Sequence, residues 1–381
     1  MIKLLTIIGA RPQIIKASAI SRTIAKYFAG DVSEKILHTG QHYDANMSQV
    51  FFDELNIPYP DYNLNAGSGS HATQTATMMI GIEEVINKEH FDGMIIYGDT
   101  NSTLAGGIVA AKLHLPIFHI EAGLRSYNMA TPEEVNRILC DQISSILFAP
   151  TQTAVDNLHT EGLCINSVQF KNRKERIIVK SGDIMYDNSL YFAQLSDSKE
   201  TLLTKLGVDK EGYLLATIHR DINADDPQRL CSIFEALIRI SENEKIICPL
   251  HPRTAAKLKD REDIMDLIKK HNNIILIPPV SFLEITMLEK NAKLILTDSG
   301  GVQKEAYFFK KPCVILRSET EWVEIIKQGA GILADADVDA IVDGYNQLIS
   351  GTSDYPALFG DGCSAKYIIQ EIINYNNNND Q

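Results

Sequence analysis

The chain has 381 residues, 45% of them hydrophobic and 22% charged, which fits a globular protein of two domains and excludes a disordered one. Its 36 Lys and Arg stand against 49 Asp and Glu, a net charge of −13. That balance argues against a protein held mainly on nucleic-acid phosphates or on an anionic membrane. A small anionic ligand, which needs only a few local cations, is not excluded.

In chain order, residues 3–8 read as a short buried strand running into Gly9-Ala10-Arg11-Pro12, and a helical pattern follows over 13–28. Apolar runs recur at 35–39, 94–97 and 115–120; the last two close on Gly98-Asp99 and on Glu121-Ala122-Gly123. The second half repeats the rhythm with runs at 214–218, 245–250, 274–277, 294–297 and 312–316. These end at His219-Arg220, His251-Pro252-Arg253, Pro278-Pro279, Asp298-Ser299-Gly300-Gly301 and Arg317. Short strands separated by helices predict parallel sheets with right-handed crossovers. The expected fold class is α/β, with two Rossmann-like domains facing a cleft. A Lys-, Arg- and Asn-rich stretch sets the expected boundary, giving domains over 1–175 and 176–363. Six cysteines, at 140, 164, 231, 248, 313 and 363, form no CxxC pair or zinc-ligand spacing, so a reducing, cytoplasmic setting is expected. The first apolar run is too short for a signal-peptide core, and no later stretch approaches a membrane span.

In parallel sheets ligands sit at the carboxyl ends of strands, so the polar residues directly after each run are the candidates. At Ser299-Gly300-Gly301 a strand turns into a helix. Glycines allow a ligand close to the backbone, and a helix start offers unpaired N–H groups and a positive dipole end. Glu305, about one turn on, is placed to hold ribose hydroxyls. The plainer reading is an ordinary turn capped by Ser299. Arg11 and Lys16 follow the first strand and suggest phosphate contact, against a plainer reading as solvated loop charges. The cations at 219, 220, 251 and 253, also at strand ends, favour a common site. Asp99, Glu121 and Glu133 are the candidate acids and bases. Glu133 and Arg137, four apart, share a helix face, either as a surface ion pair or as part of the site. Carboxylates crowded in a dry cleft raise one another's pKa toward values useful for proton transfer.

Taken together these residues resemble the non-hydrolysing UDP-N-acetylglucosamine 2-epimerase family. The match includes GARPQIIK (9–16), TGQHYD (39–44), YGDTNSTLAG (97–106), HIEAGLRS (119–126), PEEVNR (132–137), DSGGVQKEA (298–306) and RSETEWVE (317–324). The resemblance implies a GT-B-like arrangement, usually a homodimer, whose C-terminal helix crosses back to the first domain, here over 364–378. It implies that UDP phosphates meet Arg11, Ser299, Gly300 and Gly301, with Glu305 on the ribose. Asp99, Glu121, Glu133, Arg137 and His219 would surround the sugar, and Lys16, His251 and Arg317 would complete the pocket. No metal or nicotinamide is required. Gln41, His42 and Gln74 would remain for a second, activating nucleotide sugar. Thr73 stands where many bacterial members have an Arg for that site. Gln13 and Ile222 replace glutamates usual in the family. Trp322 and the segment 62–71 look more like the subgroup acting on modified UDP-sugars, such as UDP-2,3-diacetamido-2,3-dideoxy-glucuronate or a 6-deoxyhexose. A GT-B glycosyltransferase, a hydrolysing epimerase and a UDP-sugar sensor are the rival readings.

Overall fold

Seven short strands line up in one parallel sheet in the computed structural model of the chain, which describes residues 1–40, 52, 57–163, 176–250, 252–259 and 261–378. They are β1 (Ile2–Ile8), β2 (Val32–His38), β3 (Tyr62–Asn63), β4 (Gly93–Tyr97), β5 (Ile117–Ile120), β6 (Ile146–Ala149) and β7 (Ile177–Lys180), in the order β3-β2-β1-β4-β5-β6-β7. From Leu4 onward β1 is buried, and β4, β5 and β6 are buried throughout. Strands of a parallel sheet covered on both faces read as continuous apolar runs rather than alternating ones. The helix expected over 13–28 runs Arg11–Thr23 and continues as a π-helical turn, Ile24–Phe28.

A second parallel sheet holds β8 (Leu214–Thr217), β9 (Ile246–Pro249), β10 (Ile274–Ile277), β11 (Leu294–Thr297), β12 (Cys313–Ile315) and β13 (Gly331–Leu333), in the order β10-β9-β8-β11-β12-β13. β3, β6, β7 and β13 go beyond the runs read from the sequence; β3, β7 and β13 are edge strands and only partly buried. In each sheet the strand order reverses once, between β1 and β4 and between β8 and β11. Connections leave such a point in opposite directions, which opens a crevice at the carboxyl ends of the two strands. The first reversal presents the segments with Arg11, Lys16 and Asp99, and the second those with His219, Arg220 and Ser299. No helix among the described residues is long and apolar enough to cross a membrane.

The chain divides into two compact units, Met1–Asn188 with Ala357–Gln381, and Ser189–Pro356. These bounds differ from the expected 1–175 and 176–363. β7 is the seventh strand of the first sheet, and Asn188 of the following helix donates to the Ile15 carbonyl at 2.7 Å, which carries the first unit past 175. At the far end Phe359 accepts from the Asp183 amide at 2.9 Å. The C-terminal helix, Ser364–Asn377, belongs to the first unit, as expected. It buries Ile368, Ile369 and Ile372 and sets Tyr375 edge-on to Phe118, ring centres 5.6 Å apart.

Asp187 anchors the start of that helix, accepting from the amides of Ser364 at 3.0 Å and Ala365 at 2.9 Å. Burial nevertheless outweighs these bonds and pushes its carboxyl up to about 6. A carboxyl with a raised folded pKa favours the native state at low pH, and that contribution is lost as pH rises from about 4 through about 6. Asp187→Asn is expected to flatten this part of the stability profile. Melting temperatures across that range check it, and an unchanged slope would refute it.

Candidate active site

The loop after β1 is held from inside by Gln13. Its Oε1 accepts from the amides of Gly9 at 2.9 Å and Ala10 at 3.1 Å, so the side chain caps its own helix. Its Nε2 donates to the Tyr97 carbonyl at the end of β4 and to the Thr103 hydroxyl, both at 2.9 Å. One buried amide thus joins the two strand ends that flank the reversal. Gly9 has no room for a Cβ, which would collide with the hydroxyls of Ser102 and Thr39. The nearby Arg11 is exposed in the first turn of the helix, and Lys16 is buried one turn on.

Lys16 forms an ion pair with Glu121, the first residue after β5. Glu121 has a φ of 69°, a left-handed conformation that residues with a Cβ seldom adopt. The Phe148 carbonyl holds it there by accepting from the amides of Glu121 at 3.1 Å and Ala122 at 3.0 Å. Such outliers persist where surrounding structure over-determines them, and they gather at functional sites. Asp99 lies two residues past β4 and pairs with Arg137 at 2.7 Å. Burial pushes the Asp99 carboxyl above its usual range; Arg137 opposes this, and Glu121 and Glu133 reinforce it. Asp99, Glu121, Glu133, Lys16 and Arg137 therefore form one electrostatically coupled group within the first unit.

Of the two readings of Glu133 and Arg137, the surface ion pair is not the one that forms. Arg137 pairs with Glu134, three residues back, at 2.7 Å, as well as with Asp99. Glu134 is buried and accepts from the amides of Ser126 and Tyr127 and from the Ser126 hydroxyl at 2.8–3.1 Å. Burial alone would raise its carboxyl, but those amides and Arg137 hold it below the usual range. Of the two adjacent glutamates, Glu134 is committed to the loop and Glu133 is exposed in the first turn of its helix, Pro132–Ile143. Asn136 donates to the Asp99 carbonyl at 2.8 Å. A sequence reading that weighs only the Glu133–Arg137 spacing misses Glu134 and Asn136, because the backbone groups they bind, at Ser126, Tyr127 and Asp99, lie on other loops.

In the second unit, the buried carboxylate of Asp298 plays the bridging part. It accepts from the amides of His219 at 2.9 Å and Arg220 at 3.1 Å, and from Asn223 at 3.0 Å. This joins the end of β8 to the end of β11 and exposes the side chains of His219 and Arg220. Ser299 caps the helix Gly300–Phe308. Gly300 and Gly301 have no positive φ, and a Cβ on Gly300 would meet its nearest neighbours at 3.7–3.8 Å, ordinary contact. The fold itself requires a glycine at neither position. Those neighbours are Glu321, Trp322 and Arg317. Arg317 is buried and bonded through both terminal nitrogens to Glu321, at 2.9 and 3.0 Å. Lys304 stacks over the Trp322 ring, 4.3 Å from its centre. Glu305 lies close enough to the buried Glu289 to help burial raise that carboxyl well above its usual range. Gln41, His42 and His251 lie outside the described residues.

A family profile for UDP-N-acetylglucosamine 2-epimerase matches residues 28–373. The chain belongs to this epimerase family. It is 48% identical over 372 residues to UDP-2,3-diacetamido-2,3-dideoxy-D-glucuronate 2-epimerase of Pseudomonas aeruginosa, covering 97% of this chain and 99% of that one. It is 47% identical over 373 residues to a UDP-N-acetylglucosamine 2-epimerase homolog of Methanococcus maripaludis, covering 98% and 99%. The solved UDP-GlcNAc 2-epimerase of Methanocaldococcus jannaschii aligns with a TM-score of 0.84 at 41% identity, over 98% of this chain and all of that one. The same enzyme has been solved in complex with UDP-GlcNAc and UDP.

Against that family, two departures acquire a structural setting. Gln74, expected near a second nucleotide sugar, is buried; its amide donates to the Gly67 carbonyl at 2.8 Å and accepts from Asn101 at 2.9 Å. Thr73 is exposed beside it, in the first turn of the helix His71–Lys88, whose Ser70 cap accepts from the Thr73 amide. Gln13 needs its amide nitrogen, because Tyr97 offers only a carbonyl there. Gln13→Glu sets a carboxylate oxygen against that carbonyl, and a lost buried bond costs about 1–3 kcal/mol. Denaturant unfolding at neutral pH is expected to show that loss, and its partial recovery as the carboxyl protonates at low pH.

Gly300→Ala separates fold from ligand. Gly300 opens its helix and a Cβ there meets only ordinary contacts, so stability is expected to hold. UDP binding, measured by calorimetry, is expected to weaken about tenfold or more, equivalent to about 1.4 kcal/mol. Unchanged affinity in the folded variant would exclude this turn as the diphosphate contact that the family resemblance implies.

Proposed function

We propose that this chain interconverts UDP-N-acetylglucosamine and UDP-N-acetylmannosamine without net hydrolysis, by eliminating UDP and adding it back across a 2-acetamidoglycal. The observation that carries the reading is the coupled group at the first strand reversal: Asp99 with a raised carboxyl, Glu121 in a strained backbone, Glu133, Lys16 and Arg137. The C2 hydrogen of an acetamido sugar has no adjacent carbonyl to acidify it. As UDP departs, positive charge grows at C1 and the C2 hydrogen becomes acidic. A carboxylate takes it as the C1–O bond breaks. UDP then returns to C1 while a proton reaches C2 from the opposite face. Inversion therefore needs proton handling on two faces, which suits several carboxylates better than one.

The departing diphosphate needs cations and backbone N–H groups. In our reading, as the family resemblance implies, Ser299, Gly300, Gly301 and Arg317 supply these; Arg11 is a further phosphate contact, Glu305 serves the ribose, and His219 and His251 serve the sugar. A cytoplasmic homodimer feeding surface polysaccharide synthesis is part of the same reading, carried by the family resemblance. A second substrate is favoured by the 48% identity to the Pseudomonas aeruginosa enzyme. On that reading the same elimination and addition act on a UDP-diacetamido-glucuronate or another modified UDP-acetamido sugar.

Incubation with each UDP-sugar alone in D2O, followed by NMR, tests the reaction and chooses the substrate. Deuterium is expected at C2 of the epimer. Product that keeps its original C2 hydrogen would rule out elimination and addition; a need for an acceptor would indicate a glycosyltransferase. Asp99→Asn, Glu121→Gln and Glu133→Gln are each expected to lower kcat by about 10²–10⁴, the usual contribution of a general acid or base, with UDP affinity little changed.

A further inference from the structure

Beneath the coupled carboxylates the first unit buries a second set of charges that the proposed reaction does not use. His119 in β5 and Asp141 in the helix Pro132–Ile143 are fully buried. Asp141 accepts from His119 Nδ1 at 2.8 Å, from Arg125 at 2.7 Å and from the Gly123 amide at 3.1 Å. Arg125 in turn bonds Glu161 through Nε at 2.5 Å and through a terminal nitrogen at 2.7 Å. On the other side of the ring, His119 Nε2 lies 2.8 Å from the Gly98 carbonyl. A carboxylate and a carbonyl only accept, so both ring nitrogens donate. Burial works against the Asp141 anion, yet His119 and Arg125 hold its carboxyl below the usual range.

The geometry points to His119, oriented by Asp141, as the positioning residue that sets Asp99 relative to Glu121. Gly98 immediately precedes Asp99. Its amide also donates to the Ile120 carbonyl at 3.0 Å, so Gly98 is bound to β5 through both its N–H and its C=O. Asp141 reaches the other loop through Gly123, two residues past Glu121. The two carboxylate-bearing turns therefore share one buried anchor. Ion pairs this deeply buried seldom stabilise a fold more than apolar side chains of like volume would. What this one supplies is geometry, and a displacement of about 1 Å can cost about 10²-fold in rate. This inference rests on the reaction proposed above.

The test uses two amides that each mimic one ring nitrogen. His119→Gln carries its amide nitrogen to the place of Nε2 and keeps the bond to Gly98. His119→Asn carries it to the place of Nδ1 and keeps only the bond to Asp141. With UDP-GlcNAc and the UDP-diacetamido sugar as probes, His119→Gln is expected to stay within about fivefold of wild-type kcat. His119→Asn is expected to fall about 10–100-fold, to release free glycal and to leave UDP affinity unchanged. Hydrogen exchange across residues 97–101 is expected to rise in His119→Asn and not in His119→Gln. Asp141→Asn, nearly isosteric, approaches the same anchor from the other end and is expected to reproduce the His119→Asn pattern. Equal losses in the two histidine variants, losses that follow melting temperature, or a folded Asp141→Asn with wild-type kcat would each overturn the inference. If the wild-type chain epimerises neither sugar, the proposed reaction falls, and the exchange measurements alone decide the positioning role.

Discussion

Where the strand order of a parallel sheet reverses, the chain leaves two neighbouring strands in opposite directions, and the peptide groups just past their ends lose their ladder partners. Buried groups of that kind must find others. In the first sheet the amide of Gln13 takes both parts, accepting at the β1 end and donating at the β4 end. In the second sheet the Asp298 carboxylate accepts from two amides past β8 while standing at the end of β11. The difference follows from what each site must satisfy: amides and a carbonyl in one, amides alone in the other. Both solutions direct the residues immediately beyond the bridge, Arg11 and Asp99 in one unit, His219 and Ser299 in the other, to the carboxyl edge of their own sheet.

The charges above the first bridge are arranged in pairs, yet not for stability. Lys16 with Glu121 and Arg137 with Asp99 and Glu134 are partly or fully withdrawn from water, where desolvation offsets much of the attraction. Their arrangement separates two kinds of carboxylate. Glu134 has its lone pairs filled by amides and a hydroxyl and is kept ionised. Asp99 has one guanidinium against burial and two neighbouring anions, so its proton affinity rises. Of the two, only Asp99 has its carboxyl shifted toward holding a proton.

The second unit treats cations in the opposite manner. Arg317 is buried and fully occupied by Glu321, and Arg220 reaches the same carboxylate at 3.9 Å. Glu321 thereby keeps two guanidinium groups close to the N-terminus of a helix whose first two residues lack side chains. An unpaired cluster of that charge would repel itself, and the carboxylate offsets the repulsion.

The sequence by itself was enough for the parallel α/β class, because strands covered on both faces appear as unbroken apolar runs, as at 94–97 and 294–297. It was enough, too, for the strand-end residues Asp99, Glu121, His219 and Ser299, which lie beside those runs in the chain. Four strands escaped it; three of them, β3, β7 and β13, lie at sheet edges, only partly buried, and so give no unbroken buried run. So did the assignment of 176–188 and 357–363 to the first unit, which depends on where β7 pairs and on Phe359 meeting Asp183. The choice between Glu133 and Glu134 as the structural glutamate, and the anchor of His119 on Gly98, were likewise decided by tertiary structure alone. Each rests on hydrogen bonds between loops separated along the chain, and linear spacing carries information only about neighbours on the same helix or strand.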